Sequence, residues 1–287
     1  MSLRGEEVTV RADGQKPGGR SVTSKVMSIL GAFSPVHREL SLNELARRVD
    51  LPVSTTYRLA AELVDWGGLE RVDGGGYQIG LRLWEVGSLS PRSSTLNEIV
   101  VPFMQDLYEV THENVHLAVL QGRDVLYVER VTGRRSVKVR SRRGGRLPLH
   151  ATGVGKVLLA YAPKSLQDEV LAHELKRFTP YTIVAPGLLR QALREVRRTG
   201  VAYAREEMTV GRTSIAAPVF DGTDRAVAAM SIVLPSTSPD VDRLEPALRT
   251  AARCASRQLR ERGHLSPAER SVDPDLPVSV SPSPGGR

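Results

Sequence analysis

Residues 41–65 constrain the fold of this chain more than any other stretch, because they read as two short helices joined by a tight turn. Ser41 and Glu44 have the spacing of a capping box, in which each side chain satisfies a free backbone N–H group at a helix start. Apolar residues then follow at the spacing of one helical face: Leu42, Leu45, Ala46 and Val49. Pro52 separates this helix from a second one over about 53–65, because proline is tolerated only near a first turn. The spacing predicts a helix-turn-helix.

The residues on either side extend this pattern to a winged domain. Upstream, apolar residues at helical spacing predict one more helix: Val26, Ile29, Leu30 and Phe33. Downstream, 69–72 and 77–79 read as two strands around the glycines of 73–76, which indicates a β-hairpin. An ordinary helical hairpin would account for 41–65 equally well. Three helices followed by a hairpin favour a winged helix-turn-helix, which can place a helix in the major groove of DNA.

The second helix of the motif carries the predicted base contacts. Its apolar face is formed by Thr56, Leu59, Ala60 and Leu63. The outer face near its start then carries hydroxyl, phenol and guanidinium groups, which suit contacts to phosphates and base edges: Ser54, Thr55, Tyr57 and Arg58. Further contacts to the DNA backbone are expected from Lys25, from Arg71 and from Gly75 at the tip of the hairpin.

The net charge of +8 does not come from this domain. Residues 1–90 carry 11 basic and 11 acidic side chains. Residues 130–146, here called the basic segment, carry eight basic side chains and no acidic one: Arg130, Arg134, Arg135, Lys138, Arg140, Arg142, Arg143 and Arg146. Overall charge therefore does not support DNA binding by residues 1–90. For the basic segment three interpretations stay open: a solvated hairpin, which we favour, a nucleic-acid contact, and a docking surface for a neighbouring subunit.

The chain is long enough, at 287 residues, for two domains. We expect a disordered arm over 1–20, the winged domain over 21–82, a linker with a helix over 83–110, an α+β domain over 111–263 and a disordered tail over 264–287. The sequence contains no run of about 18 apolar residues, so no membrane span is predicted, and it shows no apolar N-terminal region of the kind found in signal peptides. We therefore expect a cytoplasmic location. Cys254 is a lone cysteine in a helical pattern, where inert packing is expected.

The second half of the chain changes from helical spacing to alternation. Strands are predicted at 115–120, 125–131, 137–140, 201–204, 214–220 and 227–234. Helices are predicted at 96–110, 152–161, 165–171, 188–198 and 243–262. Clustered antiparallel strands with helices between them predict an α+β domain, and the whole chain is then of mixed α/β class.

Four motifs are more specific than this periodicity. They are LNELA at 42–46 continuing to LPVSTTYRL at 51–59, LYVERV at 126–131, LPLHATGVGKVLLA at 147–160, and Glu206-Glu207 with Gly211, SIAAP at 214–218 and AAMSI at 228–232. With these motifs the chain resembles the IclR family of bacterial transcription regulators over about residues 21–262. The resemblance implies a GAF-like effector-binding domain, dimers or pairs of dimers, small organic acids or aromatic metabolites as effectors, and control of nearby operons.

The segment 147–160 reads as a strand that runs into a helix starting near Thr152, and free N–H groups at a helix start favour an anion. The resemblance places effector contacts here and on the later strands: Ala151, Thr152, Gly153, Ser214 and Ser231, with Glu206 and Glu207 shaping the site. Arg205 departs from the family pattern, in which an acid commonly precedes the glutamate pair. An inward Arg205 would favour an anionic effector, whereas an outward one would say nothing about the ligand.

Residues 112–116 match the His-Glu-x-x-His pattern of zinc hydrolases, which needs both histidines on one helical face. Here the motif straddles a predicted helix end and a predicted strand start, so we expect no metal site, no cofactor and no enzyme activity. The sequence predicts a ligand-responsive DNA-binding regulator, with operator DNA, a small anionic effector and further copies of itself as partners. The alternatives are a metal-dependent or metabolite-processing enzyme and a protein-interaction module that binds no DNA.

Overall fold

The computed structural model describes residues 20–34, 36–89, 91–133, 136–241 and 243–263, and the chain divides into two compact units between Ser90 and Pro91. Apart from Arg20, the predicted arm over 1–20 and tail over 264–287 lie outside the described residues. The division falls inside the segment 83–110 for which the sequence predicts a linker. Within the described ranges, no helix combines the length and the apolar character needed to cross a bilayer.

The first unit has its elements in the order of a winged helix-turn-helix. They are α1 (Val22–Gly31), β1 (Glu39–Leu40), α2 (Leu42–Val49), α3 (Val53–Asp65), β2 (Leu69–Arg71), β3 (Tyr77–Ile79) and α4 (Leu81–Ser88). The three strands form a small antiparallel sheet in the order β1-β3-β2. The core lies between this sheet and helices α1 to α3, and its buried members include Ile29, Leu45, Leu59, Leu69 and Tyr77.

The capping box predicted at the start of α2 is confirmed. The Glu44 amide donates to Ser41 Oγ at 3.3 Å, and the Ser41 amide donates to the Glu44 carboxylate at 2.9 Å. The Ser41 hydroxyl also donates to this carboxylate, at 2.7 Å, and the hydrogen bonds from the hydroxyl and the amide of Ser41 lower the pKa of Glu44. The helix ends at Asp50, which adopts the left-handed conformation with φ 53°, and Pro52 then precedes α3. The turn of the motif is thus built from residues that stop one helix and start the next.

Two elements of this unit are absent from the sequence prediction. Strand β1 is only two residues long, which is too short for a periodic signal. Helix α4 falls where the sequence suggests a linker, and none of its residues is buried. Leu81 and Trp84 on this helix are 63% and 65% exposed. The helix is only eight residues long and its N-cap, Gly80, provides no side-chain hydrogen bond, so the segment lacks the start signal that marks α2.

The second unit has the alternating organisation that the sequence predicts. Its elements are α5 (Pro91–Thr111), β4 (Asn114–Gln121), β5 (Asp124–Val131), β6 (Arg146–Pro148), α6 (Gly153–Tyr161), α7 (Lys164–Ala172), α8 (Pro186–Thr199), β7 (Ala202–Arg205), β8 (Arg212–Phe220), β9 (Ala226–Pro235) and α9 (Glu245–Gly263). The strands form one antiparallel sheet in the order β6-β5-β4-β9-β8-β7. The predicted α+β class is confirmed.

Helices cover both faces of this sheet, so the unit has two cores. On one face α5 and α9 pack against the strands, with Met104, Ile232 and Leu248 fully buried. On the other face α6, α7 and α8 pack around Leu158, Leu189 and Ala216. The apolar face predicted for 96–110 therefore belongs to the core of the second unit, and α5 is a structural helix of that unit.

The predicted strand at 137–140 is wrong. These residues have no regular secondary structure, and two of their carbonyls accept hydrogen bonds from side chains rather than from a neighbouring strand. Asn114 Nδ2 donates to the carbonyl of Val137 at 2.8 Å, and Arg212 Nε donates to that of Lys138 at 3.3 Å. Because the strand at 137–140 is absent, the interpretation of the basic segment as a hairpin is also wrong. The alternation of Val137 and Val139 gave a strand signal that side-chain hydrogen bonds override.

Candidate functional site

The outer face of α3 presents the side chains that the sequence assigns to DNA. Ser54, Tyr57 and Arg58 are exposed, and Thr55 is half-buried. Thr56, Leu59, Ala60 and Leu63 are buried, as their spacing predicts. The Arg58 guanidinium donates to the Glu62 carboxylate one turn further on, at 2.8 Å, with both side chains more than half exposed. Such an exposed pair holds Arg58 only weakly, so its guanidinium can exchange Glu62 for a phosphate or a base.

The hairpin β2–β3, here called the wing, meets α3 through Arg71. The Arg71 guanidinium lies 5.0 Å from the centre of the Tyr77 ring and 6.0 Å from that of the Tyr57 ring. The wing tip is exposed, and Gly74 and Gly75 adopt φ values of 94° and 83°, which favour glycine. Tyr57 and Arg71 are thus brought together, while Lys25 lies half-buried on α1. A helix with a polar outer face beside a hairpin is the arrangement that enters a DNA groove.

The second unit contains a cavity of about 60 Å³ beyond the start of α6, here called the effector cavity, on the face of the sheet that α6 covers. It is lined by His116, Tyr127, Val139, Arg140, Ser141, Leu147, Ala151, Thr152, Ala204, Met208, Thr209, Arg212, Thr213, Ser214 and Val233. A single water needs about 10–15 Å³ of cavity volume, so this cavity has room for about four to six water-sized groups. That is the size of a small metabolite rather than of a large cofactor.

The charged side chains that line the effector cavity are all positive among the described residues. Among the described residues that line it, the charged side chains are Arg140 and Arg212. Burial, with the neighbouring Arg130, lowers the pKa of His116 to about 3, so its imidazole is neutral. Burial also raises the pKa of Tyr127, which keeps the phenol neutral. The site combines positive charge with neutral hydrogen-bonding groups, which suits an anion that also carries a polar neutral group.

Some of the predicted effector residues lie at this cavity. Ala151, Thr152 and Ser214 line it. Gly153 does not line it but lies directly behind Ser214, because a Cβ atom on Gly153 would come within 2.8 Å of Ser214 Oγ. Ser231 is buried between His116 and Ala216 in the sheet and does not reach the cavity. Glu206 is also not a lining residue, and its carboxylate accepts a hydrogen bond from the Gly211 amide at 3.1 Å.

Arg205 lies away from the cavity. Side chains alternate along β7, so that Ala204 lines the cavity while Arg205 is on the opposite face. The Arg205 guanidinium is exposed and lies 5.0 Å from the centre of the Tyr203 ring. Its departure from the family pattern therefore says nothing about the ligand.

Sequence reasoning missed several of the lining residues. His116 stands in the sequence analysis only as part of the rejected zinc motif, Tyr127 only as part of a strand, and Arg140 only as part of the basic segment. Arg212 begins β8, two residues before the predicted Ser214. The alternation of side chains along β8 could have indicated Arg212, because residues 212 and 214 point to the same face of the strand.

The roof of the cavity is a loop, residues 206–211, that is fixed by buried polar contacts. Glu207 forms an ion pair with Lys156 on α6, and both side chains are buried. The hydroxyls of Thr179 and Thr182 donate to the carbonyls of Glu206 and Glu207, each at 2.7 Å. Burial lowers the pKa of Lys156, which the Glu207 carboxylate opposes. The ion pair thus ties the roof to the helix whose start forms the cavity wall.

The His-Glu-x-x-His motif does not form a zinc site. Helix α5 ends at Thr111 and β4 begins at Asn114, so the two histidines lie on different elements. His112 packs edge-on against Tyr108, whereas His116 is buried in the effector cavity. Across the part of the chain that the structure describes, no group of three or more metal-binding side chains is found.

A DNA-groove surface on one unit and a small-molecule cavity on the other define the class of ligand-responsive DNA-binding regulators. Residues 22–73 match the model of the IclR helix-turn-helix domain, and residues 91–260 match that of the bacterial transcriptional regulator IclR C-terminal domain. The chain belongs to the IclR family.

Curated relatives agree with this assignment. The HTH-type transcriptional regulator KdgR of Escherichia coli strain K12 is 32% identical over 250 residues, which cover 85% of this chain and 95% of KdgR. The regulator BhcR of Paracoccus denitrificans is 33% identical over 244 residues, covering 84% and 87% of the two chains. These relatives are named as regulators of transcription, so the prediction that the chain is not an enzyme is confirmed.

Solved structures show the same fold. An IclR homologue from Microbacterium hydrocarbonoxydans, crystallised with 4-hydroxybenzoate, has a TM-score of 0.81 and 32% identity, covering 84% of this chain and 100% of that one. The IclR of Thermotoga maritima has a TM-score of 0.69 and 30% identity, covering 83% and 98%. The protein is a ligand-responsive DNA-binding transcriptional regulator, and the predicted function is confirmed at this level.

Proposed function

We propose that a small anionic effector binds in the effector cavity and changes the affinity of the protein for an operator near its own gene, in the cytoplasm. The observation that carries the proposal is the pairing of Arg140 and Arg212 with neutral polar groups in one small cavity. The 4-hydroxybenzoate in the Microbacterium homologue supports this class, because that compound is itself a small organic anion. A ligand shifts an equilibrium only by its differential affinity for two states, so the effector must bind one conformation better than another.

On the DNA side, α3 enters the major groove. Ser54, Thr55, Tyr57 and Arg58 contact bases and phosphates, while Lys25, Arg71 and the wing at Gly75 contact the backbone. Two copies of the protein read the two halves of a pseudo-palindrome, as a dimer or within a pair of dimers. Helix α5 carries the effector signal, because it packs into the core of the second unit and begins where the first unit ends.

The experiment that tests this role uses operator DNA obtained by selecting genomic fragments with the purified full chain. Arg58→Ala is expected to reduce operator affinity at least about tenfold, since a charged contact to a base or phosphate is removed. The thermal stabilisation by a binding acid should be unchanged. Arg190→Ala is the matched control, because Arg190 is an exposed arginine on α8 of the second unit.

Salt dependence gives a second readout in the same assay. Each phosphate contact adds about 0.9 to the slope of log affinity against log salt concentration. Arg58→Ala should therefore flatten the slope if Arg58 binds a phosphate and leave it unchanged if Arg58 binds a base, with a loss of affinity in both cases. Unchanged operator affinity would show that α3 does not carry the DNA contacts.

A further inference from the structure

We propose that the basic segment carries a second DNA-binding surface, which contacts the phosphates of duplex DNA without reading their sequence. This surface, here called the basic face, consists of five exposed side chains of the second unit: Lys138, Arg140, Arg142, Arg143 and Arg146. Arg134 and Arg135 of the same segment lie outside the described residues. The basic face adds to the contacts proposed for α3 and the wing and does not depend on them.

The backbone of the basic face follows an edge of the six-stranded sheet. Arg146 begins the edge strand β6 and pairs with Leu126 on β5. Upstream of β6, the Gly144 amide donates to the Tyr127 carbonyl at 2.7 Å, and the Tyr127 amide donates to the Gly145 carbonyl at 2.9 Å. The segment therefore continues alongside β5 beyond the end of β6.

Further hydrogen bonds fix the rest of this backbone. A terminal nitrogen of Arg130 donates to the Ser141 carbonyl at 3.1 Å, and the Gly145 amide donates to the Arg142 carbonyl at 2.8 Å. The carbonyls of residues 137 and 138 are held by side chains of β4 and β8. The cations thus stand on an ordered backbone, so that binding a partner costs less ordering entropy than it would for a mobile loop.

The cations of the basic face can reach one short stretch of DNA. Lys138 and Arg142 are exposed, whereas Val139 is half-buried and Ser141 is buried, so the charged side chains are on the solvent side. Eight residues separate Lys138 from Arg146, which limits the distance between their Cα atoms to about 29 Å. One turn of B-DNA is about 34–36 Å long. The whole face therefore fits along less than one turn.

The charge of the basic face is only partly balanced by acidic neighbours. The Arg143 guanidinium lies 3.6 Å from the Glu129 carboxylate, and the charge of Arg146 acts on Asp124. The other three cations of the face form no ion pair with any described residue. Positive charges placed this close together repel each other, and a polyanion that binds them relieves this repulsion.

The basic face lacks the apolar anchors that a protein partner would use. Among the described residues from 112 to 180, none is an exposed large hydrophobic residue. Interfaces between proteins depend on a few buried aromatic or aliphatic anchors, and their centres are depleted of charge. A row of cations without such an anchor suits the phosphate backbone of a nucleic acid.

The charge distribution of the chain favours duplex DNA as this nucleic acid. Sequence-independent affinity for DNA comes from counterions that Lys and Arg side chains release, so it needs an excess of positive charge. Residues 1–90 have no such excess, with 11 basic and 11 acidic side chains. The net charge of +8 equals that of the basic segment. In a DNA-binding regulator, the basic face is therefore the part that can supply this affinity.

The test is fluorescence anisotropy of the full chain with a labelled random-sequence duplex of about 40 base pairs at several salt concentrations. The basic-face variant combines Lys138→Gln, Arg142→Gln and Arg143→Gln, and it keeps Arg140 because that residue lines the effector cavity. Each phosphate contact adds about 0.9 to the slope of log affinity against log salt concentration. The variant should lower this slope by about 2–3 and weaken binding at low salt by about tenfold or more.

The matched control removes the same charge elsewhere on the second unit. It combines Arg190→Gln, Arg194→Gln and Arg253→Gln, which are exposed positions on α8 and α9, and it should keep the slope of the parent. Both triple variants should unfold at the temperature of the parent, since all the replaced side chains are exposed. An equal loss of slope in the control, or an unchanged slope in the basic-face variant, would overturn the proposal.

A single-stranded RNA of the same length separates the two kinds of nucleic acid. The parent should bind it no more tightly than the duplex. If the parent prefers the RNA and the basic-face variant loses that preference, the partner of the face is RNA and the proposal is wrong.

Operator DNA distinguishes this proposal from the role of α3. The basic-face variant should weaken operator and random duplex by the same factor, because phosphate contacts carry no sequence information. Arg58→Ala should weaken the operator more than the random duplex if α3 reads bases. A loss confined to the operator in the basic-face variant would overturn the basic face and leave α3 in place. Unchanged operator affinity in Arg58→Ala would do the reverse.

Discussion

The guanidinium of Arg71 on the wing lies 6.0 Å from the centre of the Tyr57 ring on helix α3. This contact joins the two parts of the first unit that are proposed to touch DNA. The same guanidinium lies 5.0 Å from the ring of Tyr77, which is buried in the core, so Arg71 is held between a fixed ring and an exposed one. Tyr57 can therefore act on DNA through its hydroxyl or by positioning Arg71.

Two substitutions of Tyr57 separate these roles. Tyr57→Phe keeps the ring and its attraction for the guanidinium, so operator affinity should stay within about twofold of the parent. Tyr57→Ala removes a cation–π contact of about 0.5–1 kcal/mol and should weaken operator binding by about threefold or more. The measurement is fluorescence anisotropy with labelled operator. If Tyr57→Phe is as damaging as Tyr57→Ala, the hydroxyl reads the DNA and the positioning role is wrong.

The buried ion pair of Lys156 and Glu207 gives a stability prediction. Removing one partner leaves the other charge buried and uncompensated, which costs about 3–5 kcal/mol. We expect Lys156→Met and Glu207→Leu each to destabilise the second unit by that order in chemical unfolding. Combining them should recover most of the loss, because an apolar pair of similar volume replaces the ions.

The exposed pair of Lys164 and Asp168 on α7 is the control for this cycle, since its side chains are 71% and 53% exposed. Its single and double variants should change the free energy of unfolding by less than about 1 kcal/mol. Additive losses at Lys156 and Glu207 would show that the two side chains do not act as a pair.

His116 gives a prediction for pH. Its pKa is about 3 in the folded protein, against an ordinary value of 6.5. The unfolded chain therefore binds a proton at this residue between these two values while the folded chain does not, so stability falls as pH falls below about 6.5. Going from pH 6.5 to 5 should cost about 1.6 kcal/mol from His116 alone, because the unfolded imidazole is already half protonated at pH 6.5 and the loss reaches 1.36 kcal/mol per pH unit only below that value.

Chemical unfolding at several pH values checks this statement by comparison of slopes. The variant His116→Gln should show a shallower loss of stability between pH 6.5 and 5 than the parent. His173→Gln serves as the control, because His173 is exposed at the end of α7, and its slope should match that of the parent. An unchanged slope in His116→Gln would mean that the imidazole is protonated in the folded state.

The first unit was largely predictable because its signals are local. The capping box joins Ser41 to Glu44 over three residues, and the buried face of α3 follows from helical spacing alone. Helix α4 was not predictable from such signals, because it is only eight residues long and its N-cap, Gly80, has no side chain to cap it.

The effector cavity was predictable only in part. The resemblance placed contacts at the start of α6 and on β8, and the structure finds Thr152 and Ser214 at the cavity. His116, Arg140 and Arg212 come from three separate segments that meet only after the sheet has formed. The irregular course of 137–140, which places Arg140 at the cavity, depends on the side chains of Asn114 and Arg212, which are distant in sequence.

The most direct test of the account is the operator affinity of the full chain with and without a saturating acid, together with the acid affinity with and without operator. Allosteric coupling is typically about 1–3 kcal/mol, so we expect saturation of the cavity to change the operator dissociation constant by about fivefold or more. Operator should change the dissociation constant of the acid by the same factor, because coupling between binding sites is reciprocal. An operator affinity that is identical with the cavity empty and filled would contradict the account.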